Sequence, residues 1–547
     1  FWRYIQVSCI FTWNWYNLRV LIFNIREMKN KFIYLAILAA GFASCEPEFE
    51  NEVGANYTSG DADFTTYVAV GNSLTAGYMD GTVSRGGQAY SFPNLLAQRF
   101  ALVGGGEFTQ PSYADDVNNL GGLTLGGIQI GSTRLVIDYS QSRPENLVGT
   151  PTIEVSNLQA TAYNNMGVPG AKSFHLVASG YGNLAGVALG QSNPYFVRHA
   201  TSPSATVLGD AMSKNPTFFT NWIGANDVLS YATNGGAQSD GVTPAADHNT
   251  TGNMNPATYG GNDITNSTVF ASVYSTIVNT LISGGAKGVV ATVPSVTSIP
   301  YFTTVPYNAL PAEATSSNAT AIALYQFLAV ATGGRISPLN TAAGTKNPVL
   351  IKDNDLTDIS STIQAYAAGS GNPLLMANAA ALGAIYGQAR HATSNDLVVL
   401  PASSIIGQPN ASATAPFNIN GVTWPLANKW VLTANEKTKV ANATASYNAA
   451  IVSIANANDL AVADMNAIMN QLISGLRVED GTIYTANYFS AATASTVLFS
   501  LDGVHPNPRG YAVIANEILK VINSHYNANL PIYTAANFPG INIVPTN

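Results

Sequence analysis

Four short apolar runs constrain this fold more than any other feature of the chain. They occupy residues 67–70, 216–223, 288–294 and 460–465. Stretches with helical spacing lie between and after them, at 92–100, 268–283, 434–457 and 511–522. The run 288–294 reads Gly-Val-Val-Ala-Thr-Val-Pro and is bounded by turn residues. That is the pattern of a strand buried on both faces. Such strands alternating with helices predict a parallel sheet with helices covering both of its sides.

Two of the runs end in residues that carry chemistry. The first leads into Gly71-Asn72-Ser73-Leu74-Thr75-Ala76-Gly77, a glycine, a serine and then small residues able to open a helix. A strand-to-helix turn of this kind exposes a serine hydroxyl at the carboxyl end of a parallel sheet, where active sites of open α/β folds lie. The second ends in Trp222-Ile223-Gly224-Ala225-Asn226-Asp227. Between them, Asn165-Met166-Gly167-Val168-Pro169-Gly170-Ala171 is a glycine-rich turn able to aim a backbone N–H into a cleft. Near the C-terminus stands Asp502-Gly503-Val504-His505-Pro506. Aspartate and histidine three apart on one turn can touch. The carboxylate then holds the imidazole Nδ1–H while Nε2 faces outward to take a proton from a serine. Each segment alone has a plainer reading: a turn serine, a helix-capping Asn226-Asp227 pair, a type II turn at Pro169-Gly170, and a histidine ahead of a helix capped by Asn507 with Pro508 in its first turn. Their joint occurrence in this order carries the functional reading.

In that order the four segments resemble the signature blocks of the SGNH (GDSL-type) hydrolase superfamily. The blocks' Ser, Gly, Asn and His fall on Ser73, Gly170, Asn226 and His505, and Asp502 matches the triad acid. The resemblance implies a three-layer α/β/α, flavodoxin-like fold with a central parallel sheet. It also implies an ester hydrolase working through an acyl-enzyme on Ser73, with His505 as base and Asp502 as its orienting acid. The oxyanion donors it implies are the Ser73 and Gly170 backbone N–H groups and the Asn226 side-chain amide, and it calls for no metal or cofactor. One position departs from the family: Asn72 stands where Asp is usual. That aspartate is not the triad acid, so the departure bears on the hydrogen bonding of the serine turn.

The signature blocks lie far apart. Ser73 and Gly170 are separated by 97 positions, and Asn226 and Asp502 by 276. The hydrolase domain is therefore expected over 63–530, with insertions near 101–160 and 301–430 and a C-terminal tail at 531–547. The first insertion contains Leu123-Thr124-Leu125 and Ile128-Gln129-Ile130, whose alternation predicts a β-hairpin. The second predicts helices around 312–332 and 375–390 and a strand at 397–400. At least one insertion is expected to roof the cleft, since loops at the carboxyl edge of a sheet shape substrate access.

The N-terminal region points to the cell envelope. A basic start at Met28-Lys29-Asn30-Lys31 precedes a short apolar run to Ala43, too short to span a bilayer and fitting a signal-peptide core. Phe42-Ala43-Ser44-Cys45 resembles a bacterial lipobox, which implies a signal peptide at 28–44 and lipid on the Cys45 sulfur. The acidic stretch after it, Glu46-Pro47-Glu48-Phe49-Glu50, opens a tether at 45–62. It resembles the export signal of surface lipoproteins in Bacteroidetes-type bacteria, which implies the outer membrane and its outer face. Residues 1–27 are read as an over-extended gene start. Only 10% of residues are charged and the net charge is −8, which argues against a nucleic-acid partner. The expected partners are an acyl-lipid or O-acetylated-glycan ester and the membrane, through the lipid on Cys45. The two cysteines are Cys9 and Cys45, so the domain has no disulfide available. Histidines 175, 199, 248, 391 and 525 lack metal-ligand spacing and read as surface or structural. Two alternatives stay open: a glycan- or lipid-binding surface lipoprotein without chemistry, and an acyltransferase.

Overall fold

A computed structural model describes residues 56–138, 140, 143–313 and 318–547. The expectations for 1–27, for the signal peptide at 28–44, and for Cys45 with the acidic residues after it lie outside the described residues. Five parallel strands form the central sheet: β1 (Tyr67–Gly71), β2 (Asn165–Gly167), β3 (Phe218–Trp222), β4 (Lys287–Ala291) and β5 (Ala461–Ala463). Their spatial order is β5-β4-β3-β1-β2. Read from the other edge this is 2-1-3-4-5, the order of doubly wound flavodoxin-like sheets. The chain reverses direction across the sheet at β1, whose carboxyl end carries Ser73. In register, Ala69 faces Asn165 on one side and Thr220 on the other. Every residue of β1 and β3 is buried, which is why both read as continuous apolar runs. The polar Thr220 is accommodated by a hydrogen bond of 2.8 Å to the Tyr67 hydroxyl.

Two groups of helices flank the sheet. In one, α1 (Phe92–Phe100) packs on α6 (Pro508–His525). In the other, α2 (Asn226–Thr233), α3 (Ser267–Leu281) and α4 (Ala434–Ala457) pack together. Local chemistry sets the helix ends. Thr433 and Glu436 form a capping box on α4, the Thr433 N–H donating to Glu436 Oε2 at 2.8 Å. On α6, Asn507 Oδ1 accepts from Gly510 N at 2.9 Å. Pro508 loses nothing in the first turn, where its missing N–H has no helical partner. That start lengthens the helix beyond the expected 511–522.

Four strand expectations come out shorter; 216–223 pairs over Phe218–Trp222 and 288–294 over Lys287–Ala291. Of 460–465, only Ala461–Ala463 pairs, because Asp464 caps α5 (Met465–Ser474), accepting from Ala467 N at 3.1 Å. Of 397–400, only Leu397–Val398 pairs, antiparallel to Val431–Leu432. Pro401 then turns the chain into a 3₁₀ segment, Leu400–Ser404.

The insertion regions hold structure of their own. In the first, Leu123–Leu125 and Ile128–Gly131 form the expected antiparallel hairpin. In the second, Ala319–Ala331, Ser360–Ala368 and Ala379–Tyr386 surround a separate apolar core that includes Leu328, Ile363, Leu382 and Tyr386. Residues 531–547, expected as a tail, run back along the fold. The Tyr533 hydroxyl donates to Leu95 O at 2.7 Å, and Ile543–Val544 pairs in parallel with Leu135–Asp138. The last residues of the expected tether also join the domain, Asp61 N donating to Tyr526 O at 2.7 Å. Among the described residues no helix is long and apolar enough to cross a membrane.

Candidate active site

The turn after β1 is locally determined. Asn72, 1% exposed, accepts from Leu74 N through Oδ1 at 3.1 Å and so caps the short helical turn Ser73–Ala76. An aspartate would offer the same oxygen, so the departure at Asn72 leaves this cap in place. Gly71 is required by crowding: a Cβ there would lie 2.2 Å from Thr75 Oγ1 and 2.6 Å from Trp222 O. Ser73 emerges from this turn 6% exposed.

Although 432 positions separate them in the chain, Ser73 Oγ lies 2.9 Å from His505 Nε2. His505 Nδ1 lies 2.9 Å from Asp502 Oδ2. Asp502 Oδ1 also accepts the Val504 and His505 backbone N–H groups, both at 2.8 Å, and Oδ2 accepts Gly81 N at 3.1 Å. Burial opposes ionisation of Asp502. The charge of His505 and these hydrogen bonds outweigh it and hold the carboxyl below its ordinary range. A hydrogen-bonded serine, imidazole and carboxylate in this order can draw the proton from the serine hydroxyl and stabilise the imidazolium that results.

The glycine-rich turn and the Asn226 segment meet beside the Ser73 turn. Val168 N donates to Gly71 O at 3.0 Å, and Asn165 Nδ2 donates to Thr75 O at 2.9 Å, joining the glycine-rich turn to the serine turn. Ala171 N donates to Val168 O at 3.1 Å across Pro169-Gly170, and Gly170 has φ +78°. The turn is therefore of type II, and the positive φ demands glycine. Crowding does not: the nearest atom to a Cβ at Gly170 would be 3.9 Å away. The plain turn reading of Gly170 therefore holds, and it is compatible with the donor reading. Asn226 is the first residue of α2 and does not cap it; its Nδ2 donates to Ala171 O at 2.9 Å, tying the helix to the Gly170 turn. Asp227 does not cap the helix either; it accepts the Ser173 N–H and hydroxyl at 2.8 Å each, holding the 3₁₀ segment that follows the Gly170 turn. Ser73, Asn226 and His505 line one crevice of about 40 Å³, together with Asn72, Leu74 and Val504. Gly170 is exposed at the adjoining turn. The Ser73 and Gly170 N–H groups have no acceptor among the described residues, which leaves both able to bind an anionic oxygen.

Three residues at the site were missed by sequence reasoning: Tyr78, Asp80 and Gly81. The Tyr78 ring lies 4.5 Å from the His505 ring, and its hydroxyl donates to Gly81 O. Asp80 grips the 500–505 loop twice. Its N–H donates to Ser500 Oγ at 3.0 Å, and its Oδ1 accepts Leu501 N at 3.0 Å. Burial pushes the Asp80 carboxyl up to about 7, only partly offset by the Leu501 N–H. The one sequence signal was the Asp80-Gly81 turn dipeptide close after Ser73.

Both insertion regions reach the site. They wall a cleft of about 1080 Å³ that includes Arg143, Glu145, Tyr301, Leu400 and, at its edge, Asp502. Tyr301 N donates to Gly503 O at 2.9 Å. Among the described residues no group of His, Cys, Asp and Glu is arranged to hold a metal ion. His248 is instead paired with Asp263 at 2.9 Å. No family model, curated protein or solved structure matches this chain.

Proposed function

We propose that this protein is a serine esterase of the SGNH type, anchored to the cell envelope by lipid on Cys45. The observation that supports this most is the Ser73–His505–Asp502 relay, with two contacts of 2.9 Å joining segments more than four hundred positions apart. Asn226 in the same crevice and the exposed Gly170 turn add to it.

In this reading Ser73 Oγ attacks the ester carbonyl as His505 Nε2 takes its proton. The carbonyl oxygen becomes an oxyanion, received by the Ser73 and Gly170 N–H groups and by Asn226 Nδ2. The C–O bond to the alcohol breaks, and His505 returns its proton to the departing oxygen. Water then attacks the acyl carbon as His505 takes one of its protons; the bond to Ser73 Oγ breaks, His505 returns that proton to Oγ, and the acyl group leaves as a carboxylic acid. Asp502 keeps Nδ1 protonated and stabilises the imidazolium in both halves.

Fluorophosphonate labelling of the full chain, wild type beside Ser73→Ala, tests the reading. Labelling of the wild type alone is expected. A folded wild type that does not label would overturn it in favour of glycan or lipid binding without chemistry.

A further inference from the structure

Behind the crevice that holds Ser73 lies a second cavity, of about 110 Å³. The two adjoin: Leu74, Pro294, Ile299 and Val504 line both. Leu74 follows Ser73 in the chain and Val504 precedes His505, so the cavity begins at the reacting groups. Its deeper wall is the apolar face of α5, with Met465, Met469 and Leu472 at helical spacing, closed by Leu498 and Phe499. These five side chains are 4–7% exposed. The lining carries a single side-chain N–H, that of Trp222, and it is already taken up by Thr292 O at 3.1 Å. Asn448 pins the backbone just ahead of Pro294, accepting Val293 N at 2.7 Å and donating to Val293 O at 2.9 Å.

We propose that this cavity takes the acyl chain of the ester, making the substrate a short- to medium-chain acyl ester rather than an acetyl ester. The inference rests on the esterase reading of Ser73. A sugar or lipid headgroup placed here would bury hydroxyls or charge with no partner, which is strongly unfavourable, whereas each buried methylene is favoured by about fourfold. The occupant is the acyl part because it stays on Ser73 after the alcohol leaves. An apolar pocket beside the nucleophile suits the retained half, while the alcohol must exit to water. A cavity of about 150 Å³ accommodates the six carbons of a benzene ring, so about four chain carbons fit here, beyond the carbonyl end held in the crevice beside Ser73. Met465 and Met469, unbranched and adaptable, can repack around chains of slightly different length.

The test is a series of p-nitrophenyl esters from acetate to dodecanoate on the full chain. The expected kcat/KM for hexanoate is at least tenfold that for acetate, with no further rise beyond about octanoate. Met469→Trp, which fills the cavity, is expected to lower the hexanoate-to-acetate ratio at least tenfold. Met469→Ala, which enlarges it, should move the optimum to longer chains. Circular dichroism establishes that each variant is folded. Equal turnover of acetate and hexanoate with normal labelling of Ser73, or length profiles that do not move in either folded variant, would overturn the acyl-pocket proposal while leaving the esterase reading in place. Absence of both labelling and turnover in the wild type would overturn the two together.

Discussion

The 500–505 loop and the 78–81 turn each bury one aspartate beside the candidate serine, and the two carboxyls are held in opposite states. Asp502 accepts three backbone N–H groups and faces the His505 ring, which keeps it ionised below the ordinary carboxylate range. Asp80 accepts one backbone N–H, from Leu501, and burial lifts it to about 7. Both are aspartates at a loop within a few residues of the relay. Burial pushes both upward; at Asp502 the His505 charge and the aimed donors outweigh it, whereas at Asp80 the one Leu501 N–H does not. Asp502 is thereby suited to stabilise an imidazolium, and Asp80 to hold a loop.

The sharpest way to break this contrast is to remove each charge isosterically. Asp502→Asn is expected to lower kcat by about 10⁴, because an amide no longer selects the tautomer with Nδ1 protonated. Asp80→Asn should lower it less than about tenfold, because the introduced amide oxygen can still accept the Leu501 N–H and asparagine tolerates the φ of +53° at this position. Equal losses in the two variants would abolish the distinction. Next in size is Asn226→Ala, expected to cost about 10²–10³ in turnover by removing one oxyanion donor. Because Asn226 also donates to Ala171 O, its thermal melt must be compared with that of the wild type. A loss in turnover at unchanged Tm separates the oxyanion role from the tie to the Gly170 turn.

The smallest expected effects are on stability, and they differ in sign. Asp80 has its folded pKa raised, so it remains protonated in the fold at pH values where the unfolded chain ionises it. Stability linked to Asp80 is complete below about 4 and is lost as pH rises through about 7. Asp502 has its folded pKa lowered, so its contribution is present above about 4 and is lost as pH falls below that. The Tm of Asp80→Asn relative to wild type should therefore rise between pH 5 and pH 8, by about 1–3 °C. That of Asp502→Asn relative to wild type should rise in the opposite direction, as pH falls below about 4. Thermal melts across pH 3–8 test both, and parallel pH profiles would contradict the assignment.

Much of this was legible before any coordinates. The strands at 67–70 and 288–294 are recognisable because burial on both faces forces consecutive apolar residues. The helix at 434–457 is recognisable because its capping box and length are local. The 123–130 hairpin shows itself by alternation around Gly126-Gly127. Boundaries failed where one residue ends an element: Asp464 by capping α5, Pro401 by interrupting a ladder. The 531–547 segment read as a tail because a two-residue strand pairing with Leu135–Asp138 leaves almost no periodic signal.

The chain by itself determined which residue types stand at the site and in what order: a serine after a buried strand, a glycine in a type II turn, an asparagine after a second strand, and an aspartate three before a histidine. Those are properties of short segments, set by local sterics and burial. Only the tertiary structure decided that Ser73 and His505 meet at 2.9 Å, that Asp80 is buried against the 500–505 loop, and that an apolar cavity opens behind Leu74 and Val504. These depend on groups hundreds of positions apart brought together by the sheet. Desolvation and hydrogen bonding there are set by the whole fold and have no signature in any one stretch of sequence.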